Sequence, residues 1–159
     1  MDKTDLRILA QLQTDSSRSH AELADAIHLS SSQVSRRIAK LEQDGIIRQH
    51  VALLDEERLG LQVEAFVAVA LSSYAPEAVA GFHDRMSALD QVVDCCSTTG
   101  DADYLLRVVA QDLRSFSALI NQELLGHGDI ASVRSSVVLE RIKRTTALPL
   151  PQPRIREKL

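Results

Sequence analysis

Ser19-His20-Ala21-Glu22-Leu23-Ala24-Asp25-Ala26-Ile27, then His28-Leu29-Ser30, then Ser31-Ser32-Gln33-Val34-Ser35-Arg36-Arg37-Ile38-Ala39-Lys40-Leu41-Glu42-Gln43-Asp44-Gly45-Ile46-Ile47 is the stretch that decides the fold. It reads as two short helices joined by a tight turn. Ser19 followed three residues later by Glu22 has capping-box spacing. Leu29-Ser30-Ser31-Ser32 supplies the turn and the next cap, and Gly45 stops the second helix. At roughly 100° per residue, Val34, Ile38 and Leu41 fall on one face of that helix. Ser32, Arg36, Lys40 and Gln43 lie opposite with Ala39 among them, while Gln33 and Arg37 flank the core face. One face packs on its own domain and the other suits a DNA groove.

Working outward, Asp2 to Thr14 is also helical. Leu6, Leu9, Ala10 and Gln13 share a face with Ile8 and Leu12 beside it, Asp2 or Thr4 can cap the start, and Asp15-Ser16-Ser17-Arg18 breaks the helix. Past Gly45 the period changes. Residues 46–54 read as a short extended segment or hairpin, the place of a wing, and Asp55-Glu56-Glu57-Arg58-Leu59-Gly60 is a charged connection.

The second half alternates strand and helix. Strands are expected over Val63–Leu71, Val92–Thr98, Tyr104–Ala110 and from Ala131 to about Ile142. Pro76 opens a helix over Glu77–Leu89, with Val79, Phe82, Met86 and Leu89 on one face. Asp112 caps another, carrying Leu113, Phe116, Leu119, Ile120 and Leu124, and Gly126-His127-Gly128 stops it. The order β-α-β-β-α-β is the ferredoxin-like split unit. Leu148-Pro149-Leu150-Pro151-Gln152-Pro153 is a Pro-rich exit, and Arg154 to Leu159 reads as poorly ordered. The predicted fold is thus α+β: a winged helix-turn-helix (1–54), a linker (55–62), a ferredoxin-like domain (63–148) and a Pro-rich basic tail (149–159).

With 159 residues, 45% of them hydrophobic, and a formal net charge of −4, the chain has no whole-molecule basic field. DNA binding must come from a local patch. Over 33–50 the cations Arg36, Arg37, Lys40 and Arg48 outnumber the acids Glu42 and Asp44, with His50 nearby, which suits salt-sensitive phosphate anchoring. Ser31, Ser32, Gln33, Ser35 and Arg36 sit near the end of the helix that meets base edges; Lys40, Arg48 and His50 are better placed for phosphates. An isolated charged face is usually only a solvated one, but cap, turn, apolar spacing and Gly45 here agree on a DNA-reading helix. Scarce aromatics argue against single-strand stacking.

In the second domain, Ser97-Thr98-Thr99-Gly100-Asp101-Ala102-Asp103-Tyr104 carries chemistry. Gly100 permits a sharp turn and close approach, Asp101 and Asp103 offer carboxylates to an ammonium group, and Thr98 and Thr99 add hydroxyls. This suits a zwitterionic amino acid. A plain hairpin turn uses the same residues, and spacing alone favours that plainer reading. Cys95 and Cys96 are adjacent and would face opposite sides of a strand, so no bridge between them and no metal set is expected. His83 and His127 lack a nucleophile partner and read as surface histidines. No apolar run reaches bilayer length, and the chain reads as cytoplasmic.

Three ordered pieces resemble the Lrp/AsnC family, the feast/famine regulators of bacteria and archaea. They are Leu29-Ser30 leading to Arg37-Ile38-Ala39-Lys40-Leu41-Glu42-Gln43-Asp44-Gly45-Ile46-Ile47, then Gly100-Asp101-Ala102-Asp103-Tyr104-Leu105-Leu106, then Val138-Leu139-Glu140-Arg141-Ile142-Lys143. The resemblance spans about Asp2 to Leu150. It implies a sequence-specific regulator of double-stranded DNA, with no cofactor and no catalytic role, that pairs into homodimers through the sheets of the second domain and assembles further into octamers. It also implies a small effector, commonly an amino acid, at the loop matching Gly100 to Tyr104. Thr98, Thr99, Gly100, Asp101, Asp103 and Tyr104 become the effector-site candidates, with Ser135 and Ser136 on the last strand. Ser30-Ser31-Ser32-Gln33 departs from the Pro-containing start of relatives, so base preference does not carry over. The Pro-rich basic tail after Leu148 lies outside the resemblance and has no assigned role; from Arg141 to Leu159 six cations stand against one acid. Two competing readings are a ferredoxin-like small-molecule enzyme with an accessory helical domain and an effector-independent DNA-organising protein.

Overall fold

Each of the first three helices begins on a side chain that closes a reciprocal cap. Asp2 accepts from the Thr4 and Asp5 amides while Asp5 accepts from the Asp2 amide, starting α1 (Lys3–Thr14). Ser19 and Glu22 do the same for α2 (His20–Ile27), as do Ser30 and Gln33 for α3 (Ser31–Gln43). These contacts satisfy amides that a helix N-terminus otherwise leaves unpaired. The α2–α3 turn passes through His28 in the left-handed region (φ 59°), without a glycine.

This computed structural model describes residues 1–151. The described residues divide into two compact units: Met1–Leu53 with residues 143–151, and Leu54–Ile142. In the helical unit, Ile8, Leu9, Leu23, Ala24, Ile27, Val34, Ile38 and Leu41 form one core. The buried stripe of α1 is turned by about one residue from the expected face. Ile8 is fully buried and Ala10 is exposed, because the larger side chains at 8, 9 and 12 outcompete Ala10 and Gln13 for the interior. Gln13 serves differently: its amide donates to the Leu148 carbonyl (3.2 Å) and its Oε1 accepts from the Leu148 N–H (2.6 Å). Leu150 packs on the same core. The Pro-rich composition predicts a separate tail from 149 onward, whereas the described part of it belongs with the helices. The expectation for Arg154 to Leu159 lies outside the described residues.

No strand forms over 46–54. Both the Ile46 and Ile47 amides turn back to the Leu41 carbonyl (2.9 and 3.1 Å), so the wing position is an irregular segment rather than a hairpin.

The second unit holds β1 (Val63–Leu71), α4 (Pro76–Ala88), β2 (Val92–Ser97), β3 (Tyr104–Ala110), α5 (Leu113–Leu119) and β4 (Ile130–Val137). The sheet order is β2-β3-β1-β4 with antiparallel pairs throughout, the expected split βαββαβ topology. Alternate residues Val63, Ala65, Val67, Val69 and Leu71 are buried with Phe82, Met86, Leu106, Val108, Phe116 and Leu124. Each large side chain fully withdrawn from water contributes roughly 1.5–3 kcal/mol. The last helix is not continuous: a π-helical turn, Ile120–Leu124, follows α5. The wider turn lets Leu119 and Leu124, five apart, both reach the core. β4 ends at Val137, short of the expected Ile142: its pairing with β1 stops at Ala65, and the last bond across is from the Val138 amide to the Glu64 carbonyl.

Two connections leave the sheet toward the helical unit's parts of the chain, at 54–62 and 138–142. Glu64 on β1 accepts from Arg107 Nε on β3 (2.5 Å) and from Arg141 Nη2 (2.5 Å), and Arg107 also reaches Glu56 (3.2 Å).

Candidate nucleic-acid interface and effector loop

Ser31, Ser32, Gln33, Ser35, Arg36 and Lys40 are all exposed on α3, while Val34, Ile38 and Leu41 are buried. The predicted division of faces is therefore realised, but its members are not equivalent. Gln33 Oε1 accepts from the Ser30 amide and hydroxyl, and Ser32 Oγ lies 3.2 Å from Ser30 Oγ, so both are engaged in the cap.

Arg37 departs furthest from its predicted place. Its Nη1 lies 2.8 Å from Asp2 Oδ2 and 2.6 Å from Asp5 Oδ1, tying the middle of α3 to the start of α1. The Asp5 amide and the Arg37 guanidinium hold the Asp2 carboxyl below the usual carboxylate range, and the two carboxylates push the Arg37 pKa up. His50 lies off α3, with Nε2 3.2 Å from Glu42 Oε1. Among the described residues, the cations of the set without an ion-pair partner are Arg36, Lys40 and Arg48. They are the groups free to meet phosphate or base edges.

In the sheet unit, the β2–β3 loop is built on Asp103. Its amide donates to Val69 O (2.9 Å), its Oδ2 accepts from the Leu71 amide (2.7 Å) and its Oδ1 accepts from the Tyr74 hydroxyl (3.0 Å). The bond to Asp103 raises the Tyr74 pKa, and the carboxylate's charge adds to it. Thr98 is likewise internal: its amide donates to Asp103 O and its hydroxyl to Ala102 O (2.7 Å). Tyr104 is buried, with its hydroxyl 2.8 Å from His83 Nε2 and its ring 4.6 Å from that of Phe82. His83 is thus a partner of the site, which its place as a lone surface histidine in the sequence did not reveal. Tyr74 was also missed; a hydroxyl one residue before a helix-opening Ala-Pro step carries no signal.

What remains open is the tip. Gly100 stands at φ 134°, a region side chains avoid, with nothing within 4 Å of where a Cβ would lie. Thr99 and Asp101 are exposed, and among the described residues the amides of Thr99, Gly100, Asp101 and Ala102 donate no hydrogen bond. Four unused donors beside one unengaged carboxylate can receive an anion and a cation together. Ser135 and Ser136 are not brought to this loop within one chain. They pair with Val67 and Phe66 of β1 and so face opposite sides of the sheet. Cys95 and Cys96 also face opposite sides, as expected. Partial burial pushes the Cys95 thiol up, with Cys96 and Asp94 adding to it, away from reactive thiolate.

The model of the Lrp/AsnC ligand binding domain matches residues 64–148, and that of a winged helix-turn-helix DNA-binding domain matches residues 1–48. The chain belongs to the Lrp/AsnC family. It is a DNA-binding transcriptional regulator of the Lrp/AsnC type with a ligand-binding domain. It is 36% identical over 150 residues to the Bkd operon transcriptional regulator of Pseudomonas aeruginosa, covering 94% of this chain and 98% of that one. It is 30% identical over 148 residues to the leucine-responsive regulatory protein of Escherichia coli, covering 93% and 90%. Among solved structures, a transcriptional regulator from Neisseria meningitidis in complex with L-Met superposes with a TM-score of 0.91 at 38% identity, covering 94% of this chain and 96% of that one.

Proposed function

We propose that this regulator binds duplex DNA through α3 as a homodimer, and that a free amino acid seated on the Thr99–Ala102 tip changes its DNA occupancy. The observation that carries the effector half is the tip itself. Its unused amides suit a carboxylate and the Asp101 carboxylate suits an ammonium group, so the two ends of a zwitterion meet complementary charge. Thr98, Asp103 and Tyr104 support the loop rather than contact the ligand. The L-Met complex of the similar Neisseria protein supports the same ligand class.

The homodimer reading rests on the sheet face away from the helices. Phe66 and Leu105 lie on it at 38% and 37% exposure, flanked by Ala68 and Cys96. Covering these side chains with a second copy removes apolar surface from water. Ser136 lies on that same face and Ser135 on the other, so a neighbouring copy within an octamer is the route by which either serine reaches an effector. The protein carries no catalytic role in this reading and works in the cytoplasm; no helix among the described residues is long and apolar enough to cross a membrane.

Calorimetric titration of the full chain with each of the twenty amino acids, L-Met first, tests the effector half. Saturable binding that Asp101→Ala abolishes supports it. Duplex binding with no response to any of them would point instead to an effector-independent DNA-organising protein.

A further inference from the structure

Glu64 holds the exit connection twice. Its carbonyl accepts from the Val138 amide (2.8 Å) and its carboxylate from Arg141, just ahead of Lys143, where the helical unit's second part begins. Its other carboxylate oxygen holds Arg107, and Arg107 holds Glu56, shortly after Leu53 closes the helical unit's first part. One carboxylate on a central strand thus links both places at which the chain passes between the two units. Glu56 is further seated by its own turn, where its carbonyl accepts from Leu61 (2.9 Å). The side chains of Glu64, Arg107, Glu56 and Arg141 are between 19% and 31% exposed, so the pairs are better shielded than ordinary surface pairs. By contrast, Arg58 and Asp55 in the same connection pair at 88% and 57% exposure.

Glu64 and Arg107 form a diagonal cross-strand pair between β1 and β3, and the network they start runs beyond the sheet to both connections. Glu64 is the acid of an otherwise apolar strand, and Arg107 is the one charge of β3. Their arrangement has a further use at the connections, which acquire fixed departure points on the sheet.

We propose that Glu64, acting through Arg107 and Arg141, is a positioning residue that anchors both connections to the sheet and thereby sets the half-site spacing that paired DNA-binding units accept. The second part rests on the dimeric DNA-binding reading above. A DNA-bound pair is selective for half-site spacing only if its tethers restrict where each unit can stand, since a flexible tether accommodates many separations.

The test compares the full-length protein with Glu64→Gln, Arg141→Gln and Arg58→Ala. Glu64→Gln keeps the shape and the Val138 bond while removing the charge. Hydrogen exchange of segments 54–62 and 138–142 reads the anchoring without DNA. A set of duplexes with the half-sites moved by one to five base pairs reads the spacing. Glu64→Gln is expected to speed exchange in both connections by about tenfold or more, the size that loss of one charge-assisted contact produces. It is also expected to flatten discrimination among spacings with the dimer intact by light scattering. Arg141→Gln is expected to speed exchange in 138–142 only, and Arg58→Ala to change neither. Unchanged exchange in either connection of Glu64→Gln overturns the anchoring, and retained spacing discrimination overturns its role on DNA. If Glu64→Gln does not fold, Arg141→Gln decides the anchoring by the same measurement. Wild-type protein that binds duplexes without any spacing preference overturns the role on DNA, a monomer by light scattering overturns the dimeric reading, and the exchange rates decide the anchoring by themselves.

Discussion

The Arg37 guanidinium lies 2.6 Å from the Asp5 carboxylate, so a cation in the middle of α3 is spent inside its own domain. Side-chain exposure of 31% and 14% shields the pair enough to matter and not enough to make it a buried charge. Arg37→Ala should lower the stability of the helical unit by about 1 kcal/mol. Thermal unfolding measures that loss, and base preference in a competition assay should not change. A relaxed base preference with unaltered stability would return Arg37 to the DNA-reading set.

Arg36 and Lys40 should behave differently from Arg37 and from each other. Lys40→Ala should weaken binding to all duplexes alike and reduce the slope of log affinity against log salt by about 1 per site removed. Arg36→Ala, nearer the helix start, should cost about 1–3 kcal/mol on the preferred site and less on others. Shift assays across a salt series distinguish the two.

The two aspartates of the β2–β3 loop separate support from contact. Asp103→Ala strips acceptors from the Leu71 amide and the Tyr74 hydroxyl and should destabilise the sheet unit by about 1–2 kcal/mol. Asp101→Ala breaks nothing in the fold and should leave stability within about 0.5 kcal/mol while reducing effector affinity. Equal effects of the two on stability would mean that the tip is a structural turn.

Acid should loosen the Glu64 network. Burial works to raise the Glu64 pKa, but the hydrogen bonds from Arg141 and Arg107 outweigh it and hold the carboxyl below the ordinary range. A carboxyl depressed in the folded state contributes stability that is present above its unfolded pKa and lost as pH falls through its folded one. The melting temperature should therefore fall more steeply below the ordinary carboxylate range in wild type than in Glu64→Gln. Parallel curves would show that the network adds nothing.

Gly126 is fixed by a close approach. A Cβ there would meet the Gln122 carbonyl oxygen at 2.5 Å, against the backbone of the π turn. Gly126→Ala should cost about 1–3 kcal/mol in a thermal unfolding measurement, by forcing that turn to open.

Most elements were legible because their signals are local. Capping boxes at Ser19 and Ser30, the alternation over Val63–Leu71 and Pro76 ahead of α4 each act within a few residues. The features that escaped are decided by distant partners. Arg37 looks like any exposed cation until Asp2 and Asp5 arrive from α1. Nothing near Asp103 in the sequence announces the Leu71 amide and the Tyr74 hydroxyl that its carboxylate accepts from, 32 and 29 residues away. The change of period after Gly45 predicts a short extended segment or hairpin at the wing position; no strand pairing forms there, and the Ile46 and Ile47 amides turn back to the Leu41 carbonyl.

The clasp between Gln13 and Leu148 joins residues 135 apart in the chain. During synthesis the three N-terminal helices leave the ribosome long before Leu148 and Leu150, so the nascent helical unit lacks its last core contact while the whole sheet is made. The sheet is in effect an insertion into a domain that only the final stretch can finish. A chain released before Leu148 would carry α1, α2 and α3 without the Gln13 clasp and without Leu150 on their core.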